Sequence, residues 1–220
     1  MGLISKVRET KETRVELTLD LRGEFLEETR VQTGIGFFDH MLETLSFHSG
    51  ILFELKAEGD LEVDYHHTVE DVGIVLGLAL DEALEDRKGI SRFGEATIPM
   101  DDALSQAVVD LVRRPYFYYS AKFPVSHIGG SFDVELIEEF FRAFALNGMF
   151  TLHLRNFYGK NSHHIAESLF KAVAHALRRA LLPAVDAIFS VKGSLEIRLK
   201  LPMKLMELPR LLNKLYKVFR

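Results

Sequence analysis

The hydrophobic positions of this chain follow two periods, one typical of strands and one typical of helices. Strict alternation of apolar and polar residues predicts strands, and apolar residues three or four apart predict helices. In the first half, this pattern predicts strands at 15–21, 28–33 and 51–57, and helices at 37–45 and 66–89. In the second half, it predicts strands at 105–112, 116–123 and 149–155, and helices at 133–146 and 163–182. Each half therefore has the order strand, strand, helix, strand, helix.

This repetition indicates an internal duplication of about 90 residues per unit. Helices flanked by mostly antiparallel strands predict an α+β fold, with two sheets enclosing four helices around a pseudo-twofold axis. We divide the chain into a first half-repeat at 1–94, a second half-repeat at 95–195 and a C-terminal extension at 196–220. The two half-repeats are expected to form one compact catalytic unit.

The composition excludes several classes of protein. The 220 residues are 47% hydrophobic and 27% charged, with a net charge of -5, so nucleic acid is not an expected partner. The chain contains no cysteine, so it has neither a disulfide framework nor thiolate chemistry. No secretory signal or membrane-spanning apolar run is present in the sequence, which predicts a cytoplasmic protein with no membrane span.

The chemistry concentrates in a motif that occurs twice, His-His-x-x-Glu at 66–70 and again at 163–167. An apolar run follows each copy, so each copy is predicted to form the first turns of a buried helix. His66 and Glu70 then lie on one helical face, whereas His67 projects about 100° away. Each motif could therefore serve two metal centres, and two motifs facing each other could complete a pair of centres. Imidazole and carboxylate ligands suit manganese, iron, cobalt, nickel or zinc.

The duplication also selects candidates for the remaining ligands. Asp39-His40 in the first half corresponds to Glu138-Glu139 in the second, at a similar distance before the His-His motif. His48 lies on the same helical face as His40 and is a candidate for supporting the site.

Three cationic residues at predicted turns suit a phosphate, namely Arg92, Arg114 and Lys192. Each alone is more typical of a solvated surface, and only a spatial cluster of these cations would indicate a binding site.

The motifs together resemble the imidazoleglycerol-phosphate dehydratase family. The resemblance is carried by six segments in order, at 33–42, 64–71, 92–94, 99–101, 114–116 and 161–167. It implies a four-helix bundle between two four-stranded mixed β-sheets, trimer-based assembly into a 24-subunit homo-oligomer, and active sites between subunits. It also implies a carbon–oxygen lyase (hydro-lyase) of histidine biosynthesis that acts on a small phosphate ester.

The resemblance further implies two manganese ions per active site. One ion would be held by His40, His67, His163 and Glu167. The other would be held by His66, Glu70 and His164, with a fourth ligand from Glu139, a position at which some members have histidine.

Substrate contacts follow from the same resemblance. Seven residues that are not metal ligands are expected to contact the substrate: Glu12, His48, Arg92, Arg114, Lys171, Ser190 and Lys192. The ligands His40, His66, Glu70 and His163 are also expected to face the substrate. Glu12 is a candidate acid or base at the departing hydroxyl group, with Glu70 or Glu167 moving a proton.

Two other functions suit the residues themselves. Two metals beside arginines also fit a dinuclear phosphate-ester hydrolase. A non-catalytic cage in which the His-His motifs bind metal between subunits is a third hypothesis. For the extension at 196–220, an apolar seam flanked by basic residues predicts an amphipathic helix. This helix either docks on its own or a neighbouring subunit, or binds a membrane surface or an acidic partner.

Overall fold

The computed structural model describes residues 2–184, and these form two copies of the same arrangement of strands and helices. The first copy contains β1 (Ile4–Glu9), β2 (Thr13–Asp20), β3 (Arg30–Gln32), α1 (Gly36–Ser49), β4 (Leu52–Gly59) and α2 (His66–Ala83). The second contains β5 (Phe93–Met100), β6 (Ala103–Asp110), β7 (Tyr116–Ser120), β8 (His127–Ile128), β9 (Phe132–Asp133), α3 (Glu135–Asn147), β10 (Thr151–Tyr158) and α4 (Ser162–Ala180).

The two sheets have the same topology. The first has the order β1-β2-β4-β3 and the second the order β5-β6-β10-β7. In both, three neighbouring strands are antiparallel and the last strand is parallel to its neighbour, β3 to β4 and β7 to β10. The sheets are therefore mixed, and the predicted duplication is visible in strand order as well as in sequence.

The helices lie between the sheets and exchange partners across the two repeats. Helix α1 packs on α4, and α2 packs on α3, so every helix pair joins one repeat to the other. Phe38, Phe140 and Phe170 are almost fully buried in this layer. The Phe140 ring packs against the rings of both Phe38 and Phe170. Burial of these large rings contributes hydrophobic stabilisation between the repeats.

Several predicted boundaries were wrong. Helix α2 ends at Ala83 rather than near residue 89, because the chain turns through positive φ angles at Glu85 and Arg87. Strands β1 and β5 were not predicted, and β5 spans the predicted boundary between residues 94 and 95. The extension at 196–220 lies outside the described residues. Among the described residues, no helix is long and apolar enough to cross a membrane.

Candidate metal and substrate site

Polar side chains fix the start of each His-His helix. The Asn161 side chain caps α4 by accepting the backbone N–H groups of His163 and His164, at 2.8 and 3.4 Å. At the start of α2, Asp64 Oδ1 accepts the backbone N–H of His66 at 2.8 Å. Side-chain acceptors at this position satisfy N–H groups that a helix leaves unpaired. Both motifs are thereby placed in a first helical turn, as their spacing predicts.

One potential metal-binding group forms between the repeats. His40 of α1 and His163 and Glu167 of α4 each offer a ligand atom, and these atoms lie within 4.8 Å of one another. His163 Nε2 lies 3.3 Å from Glu167 Oε2, so the predicted convergence of positions i and i+4 is present. Two imidazoles and a carboxylate fit a divalent ion such as manganese. Within residues 2–184, this is the only group of three such ligands that converges in one chain.

Glu167 is kept ionised although it is buried. Burial opposes ionisation, but the Lys171 ammonium at 2.6 Å from Oε1 outweighs it, with smaller contributions from His163 and His40. The pKa of Glu167 therefore lies below its usual value. An ionised carboxylate is the form that binds a metal ion.

The duplication provides a counterpart group at the other end of the fold. His66 and Glu70 of α2 correspond to His163 and Glu167, and Glu139 of α3 corresponds to His40. His66 and Glu139 line the same pocket of about 450 Å³. Among the described residues, the three ligand atoms do not converge as those of the first group do. Glu139 is instead paired with Arg142, whose guanidinium donates to both of its oxygens at 2.8 and 2.6 Å.

The second histidine of each motif has a carboxylate at each ring nitrogen. His67 Nδ1 lies 3.1 Å from Asp60 Oδ2, and His67 Nε2 lies 3.8 Å from Glu12. His164 follows the same pattern, with Nδ1 2.5 Å from Asp102 and Nε2 3.6 Å from Asp101.

These contacts shift the pKa of two groups. The hydrogen bond to Asp60 raises the pKa of His67. The hydrogen bond to His164, helped by the backbone N–H of Lys160, lowers the pKa of Asp102 to about 2. Neither His67 nor His164 joins a three-ligand group within its own chain, as far as residues 2–184 show.

Two of the three predicted phosphate-binding cations meet at one aspartate. Arg92 Nε lies 2.6 Å from Asp110 Oδ1, and an Arg92 terminal nitrogen lies 2.9 Å from Oδ2. Arg114 approaches the same carboxylate at 4.0 Å. Arg92 also has a left-handed backbone, with φ of 66°, a conformation that often marks functional turns. Lys192 and Ser190 lie outside the described residues.

Comparison with known proteins identifies the same family that the sequence motifs resemble. The family model for imidazoleglycerol-phosphate dehydratase matches residues 33–177. Relatives with that name from Alkaliphilus metalliredigens and Streptococcus gordonii are each 52% identical over 190 residues, covering 86% of this chain and 96% of the relative. The chain belongs to the imidazoleglycerol-phosphate dehydratase family.

Solved structures of imidazoleglycerol-phosphate dehydratases share the fold. The Staphylococcus aureus enzyme has a TM-score of 0.75 and 37% identity, covering 83% of this chain and all of that chain. The Pyrococcus furiosus enzyme has a TM-score of 0.72 and 34% identity, covering 86% and 99%. The predicted dehydratase family and duplicated α+β fold are therefore confirmed.

A histidine pair extends the candidate site along α1 and α4. The rings of His48 and His175 lie 5.1 Å apart, and Lys171 comes one helical turn before His175. Burial lowers the pKa of both imidazoles, and nearby cationic groups, Lys171 and Arg178 among them, lower it further. Both histidines are therefore biased towards the neutral form.

Four residues at or near the candidate site carry no clear signal in the sequence: Asp60, Asp102, Asp110 and His175. The aspartates occur in turns or at strand ends, where aspartate is common for reasons unrelated to catalysis. His175 follows Glu167 by eight residues, and its place on that helical face was the one available indication.

Proposed function

We propose that the chain removes water from D-erythro-imidazole glycerol phosphate, giving imidazole-acetol phosphate in histidine biosynthesis. Membership of the dehydratase family supports this reaction over phosphate-ester hydrolysis or metal storage. The structural observation that carries the proposal is the convergence of His40, His163 and Glu167 between the repeats. In the reaction, a hydroxyl group and a carbon-bound proton leave as water, and the resulting enol becomes the ketone.

The cofactor we propose is a pair of manganese ions for each active site. His40, His163 and Glu167 of one chain, with His67 of another, would hold one ion. His66, Glu70 and Glu139, with His164, would hold the other. When bound, such ions supply Lewis acidity that stabilises negative charge on the imidazole of the substrate.

Glu139 can be released to a metal ion without leaving the Arg142 guanidinium unpaired. It shares Arg142 with Glu138, whose Oε1 lies 2.8 Å from the guanidinium. If Glu139 turned towards His66, Arg142 would keep an anionic partner in Glu138.

Other residues of the chain would orient the substrate and move protons. Arg92 and Arg114, drawn together by Asp110, suit the phosphate, and Lys171 is a further cation beside the metal ligand Glu167. Glu12 is the candidate acid or base, because its side chain is 57% exposed and reaches the Nε2 side of His67. Fixing the imidazole and the phosphate at once supplies the orientation needed for elimination.

The active site we propose lies between two copies of the chain. One copy would contribute His40, His163, His164 and Glu167, and the other would contribute His66, His67, Glu70 and Glu139. This arrangement is supported by the absence of His67 and His164 from the converged group of their own chain, as described for residues 2–184. Assembly into a trimer-based 24-mer stays a prediction from the family resemblance, and the cytoplasmic location stays a prediction from the sequence.

A turnover assay tests the reaction. The purified chain is stripped of metal with a chelator, reloaded with manganese and given imidazole glycerol phosphate. We expect imidazole-acetol phosphate, detected by its enol absorbance, without release of inorganic phosphate, and we expect activity only after metal is restored. Phosphate release would favour the hydrolase, and metal-dependent assembly without turnover would favour the cage.

A further inference from the structure

Asp60 and Asp102 occupy different positions in the two repeats, yet each contacts Nδ1 of the second histidine of a His-His motif. Asp60 follows β4, whereas Asp102 lies in the turn between β5 and β6, so duplication does not relate one to the other. Asp60 nevertheless lies 3.1 Å from Nδ1 of His67, and Asp102 lies 2.5 Å from Nδ1 of His164. The same contact is therefore built twice, by two separate routes through the fold.

The contact determines which ring nitrogen carries the proton. An ionised carboxylate can only accept hydrogen bonds. The carboxylates at Nδ1 are within hydrogen-bond distance, whereas Glu12 and Asp101 lie 3.8 and 3.6 Å from Nε2, so a neutral imidazole places its proton on Nδ1. The lone pair is then left on Nε2, which is the atom available to a metal ion. An imidazole without such a partner can place its proton on Nε2 and lose that ligand.

Hydrogen bonds tie both aspartates to neighbouring turns, through the carboxylate of Asp102 and through the backbone of Asp60. Asp102 Oδ2 accepts the backbone N–H groups of Lys160 and Asn161, at 2.5 and 3.0 Å, in the turn that caps α4. The backbone N–H of Asp60 donates to the carbonyl of Glu12 at 3.2 Å, which ties Asp60 to the hairpin that carries Glu12. Each aspartate thus links its histidine to an adjacent turn.

We propose that Asp60 and Asp102 are positioning residues that hold His67 and His164 with the proton on Nδ1 and with Nε2 presented to a metal ion bound mainly by another copy. The inference rests on the proposed two-metal function. His67 and His164 lie outside the three-ligand group described for their own chain. The aspartates would keep the two rings in a fixed orientation without the other ligands of that chain. Carboxylates that bond the far nitrogen of a metal-binding imidazole commonly contribute 10- to 100-fold in metal affinity.

The first test measures the tautomers without any metal or substitution. Solid-state 15N NMR of histidine-labelled, metal-free protein at pH 9 distinguishes a protonated Nδ1 from a protonated Nε2, and His67→Gln and His164→Gln assign the two signals. We expect both residues to carry the proton on Nδ1. A proton on Nε2 in both residues of the wild-type chain would overturn the proposal.

The second test measures manganese affinity in a metal-buffered titration. Asp60→Asn and Asp102→Asn should each weaken binding of one manganese ion by about 10- to 100-fold. Each should also move part of the imidazole signal to the Nε2-protonated form, a change that a purely structural role would not produce. Asp86→Asn is the matched control, since Asp86 is an exposed aspartate whose side chain bonds Lys88, and it should leave both readouts unchanged.

The outcomes separate this inference from the proposed function. Unchanged tautomers and unchanged manganese affinity in both aspartate variants would overturn the positioning role while leaving the two-metal site intact. A wild-type chain with both protons on Nδ1 that binds no manganese would overturn the two-metal function, and the positioning role with it.

Discussion

Glu167 must meet two opposing requirements. It must be buried to face His163, and it must stay ionised to bind a metal ion. Lys171 reconciles these requirements through its 2.6 Å contact with the carboxylate. We predict that Glu167→Gln, which keeps the shape and removes the charge, weakens manganese binding at that group by at least about 10-fold and lowers turnover with it. Metal analysis by mass spectrometry and the turnover assay measure both. Glu16→Gln, on the outer face of the first sheet, is the control, and full metal content in Glu167→Gln would contradict the assignment.

Replacing Glu12 should lower turnover without lowering manganese binding. It lies 3.8 Å from His67 Nε2, but we assign it to proton transfer rather than to metal binding. Glu12→Gln should keep bound manganese unchanged and lower kcat by about 10²- to 10⁴-fold, the usual contribution of a general acid or base. Unchanged turnover in this variant would refute the role.

The His48–His175 pair predicts a pH dependence of stability. Burial and nearby cations depress the pKa of His175 in the folded chain, so it stabilises the fold fully above about pH 6.5. This contribution is lost as the pH falls through the folded-state pKa. The free energy of unfolding of His175→Gln should therefore decline less steeply between pH 7 and 5, by at most about 1.4 kcal/mol per pH unit. Denaturant titrations measure the slope, with His153→Gln, at an exposed position of β10, as the control for losing a histidine. A slope equal to that of the wild type would contradict this interpretation.

At this scale, sequence reasoning found the residues that bear a repeated motif and missed those that support them. The spacing of His163 and Glu167 is sufficient to predict their convergence, because i and i+4 share a helical face. Asp60, Asp102 and Asp110 contact residues that are distant in the sequence or in turns, and only the folded chain brings them together.

At the scale of secondary-structure elements, the prediction succeeded where the buried positions are large apolar residues. Strand β1 escaped prediction because its inward positions after Ile4 are Lys6 and Arg8, which remove the apolar alternation. Strand β5 escaped because its buried positions begin with Gly94 and Ala96, residues too small to register as a hydrophobic face. Gly94 is small for a reason, since a Cβ there would lie 1.9 Å from the carbonyl oxygen of Ala176 in α4.

Close packing between helices of different repeats predicts a mutational cost. A Cβ on Gly77 of α2 would lie 2.7 Å from both the backbone N of Gly148 and the carbonyl O of Phe144, at the end of α3. Gly77→Ala should therefore lower the free energy of unfolding by about 1–3 kcal/mol, because backbone atoms cannot move aside as a flexible side chain can. Gly36→Ala is the matched control, since a Cβ added there, at the start of α1, would have no neighbouring atom within 4 Å among the described residues, and it should be neutral or stabilising by up to about 1 kcal/mol. Equal stabilities of the two variants, measured by thermal or denaturant unfolding, would contradict the packing argument.

The duplicated fold explains the division of ligands at the scale of the whole molecule. The helix pairs α1–α4 and α2–α3 each combine one helix from each repeat. In the proposed function, each pair carries one ligand group, and the two groups serve two different active sites. The sequence predicted the fold class, the repeats and most ligands of the proposed site. Spacing alone did not assign His67 and His164 to particular ions; that assignment came from the family resemblance and stays a prediction.

The most direct measurement of this account is turnover in mixed oligomers of two inactive variants. His163→Ala removes a ligand from one contribution to the site, and His67→Ala removes a ligand from the other. Differently tagged chains are co-expressed, and oligomers that carry both tags are purified and assayed with manganese. Random pairing of the two variants should restore about a quarter of wild-type turnover, because one pairing in four combines two intact contributions. Mixed oligomers as inactive as the separate variants would contradict an active site shared between copies.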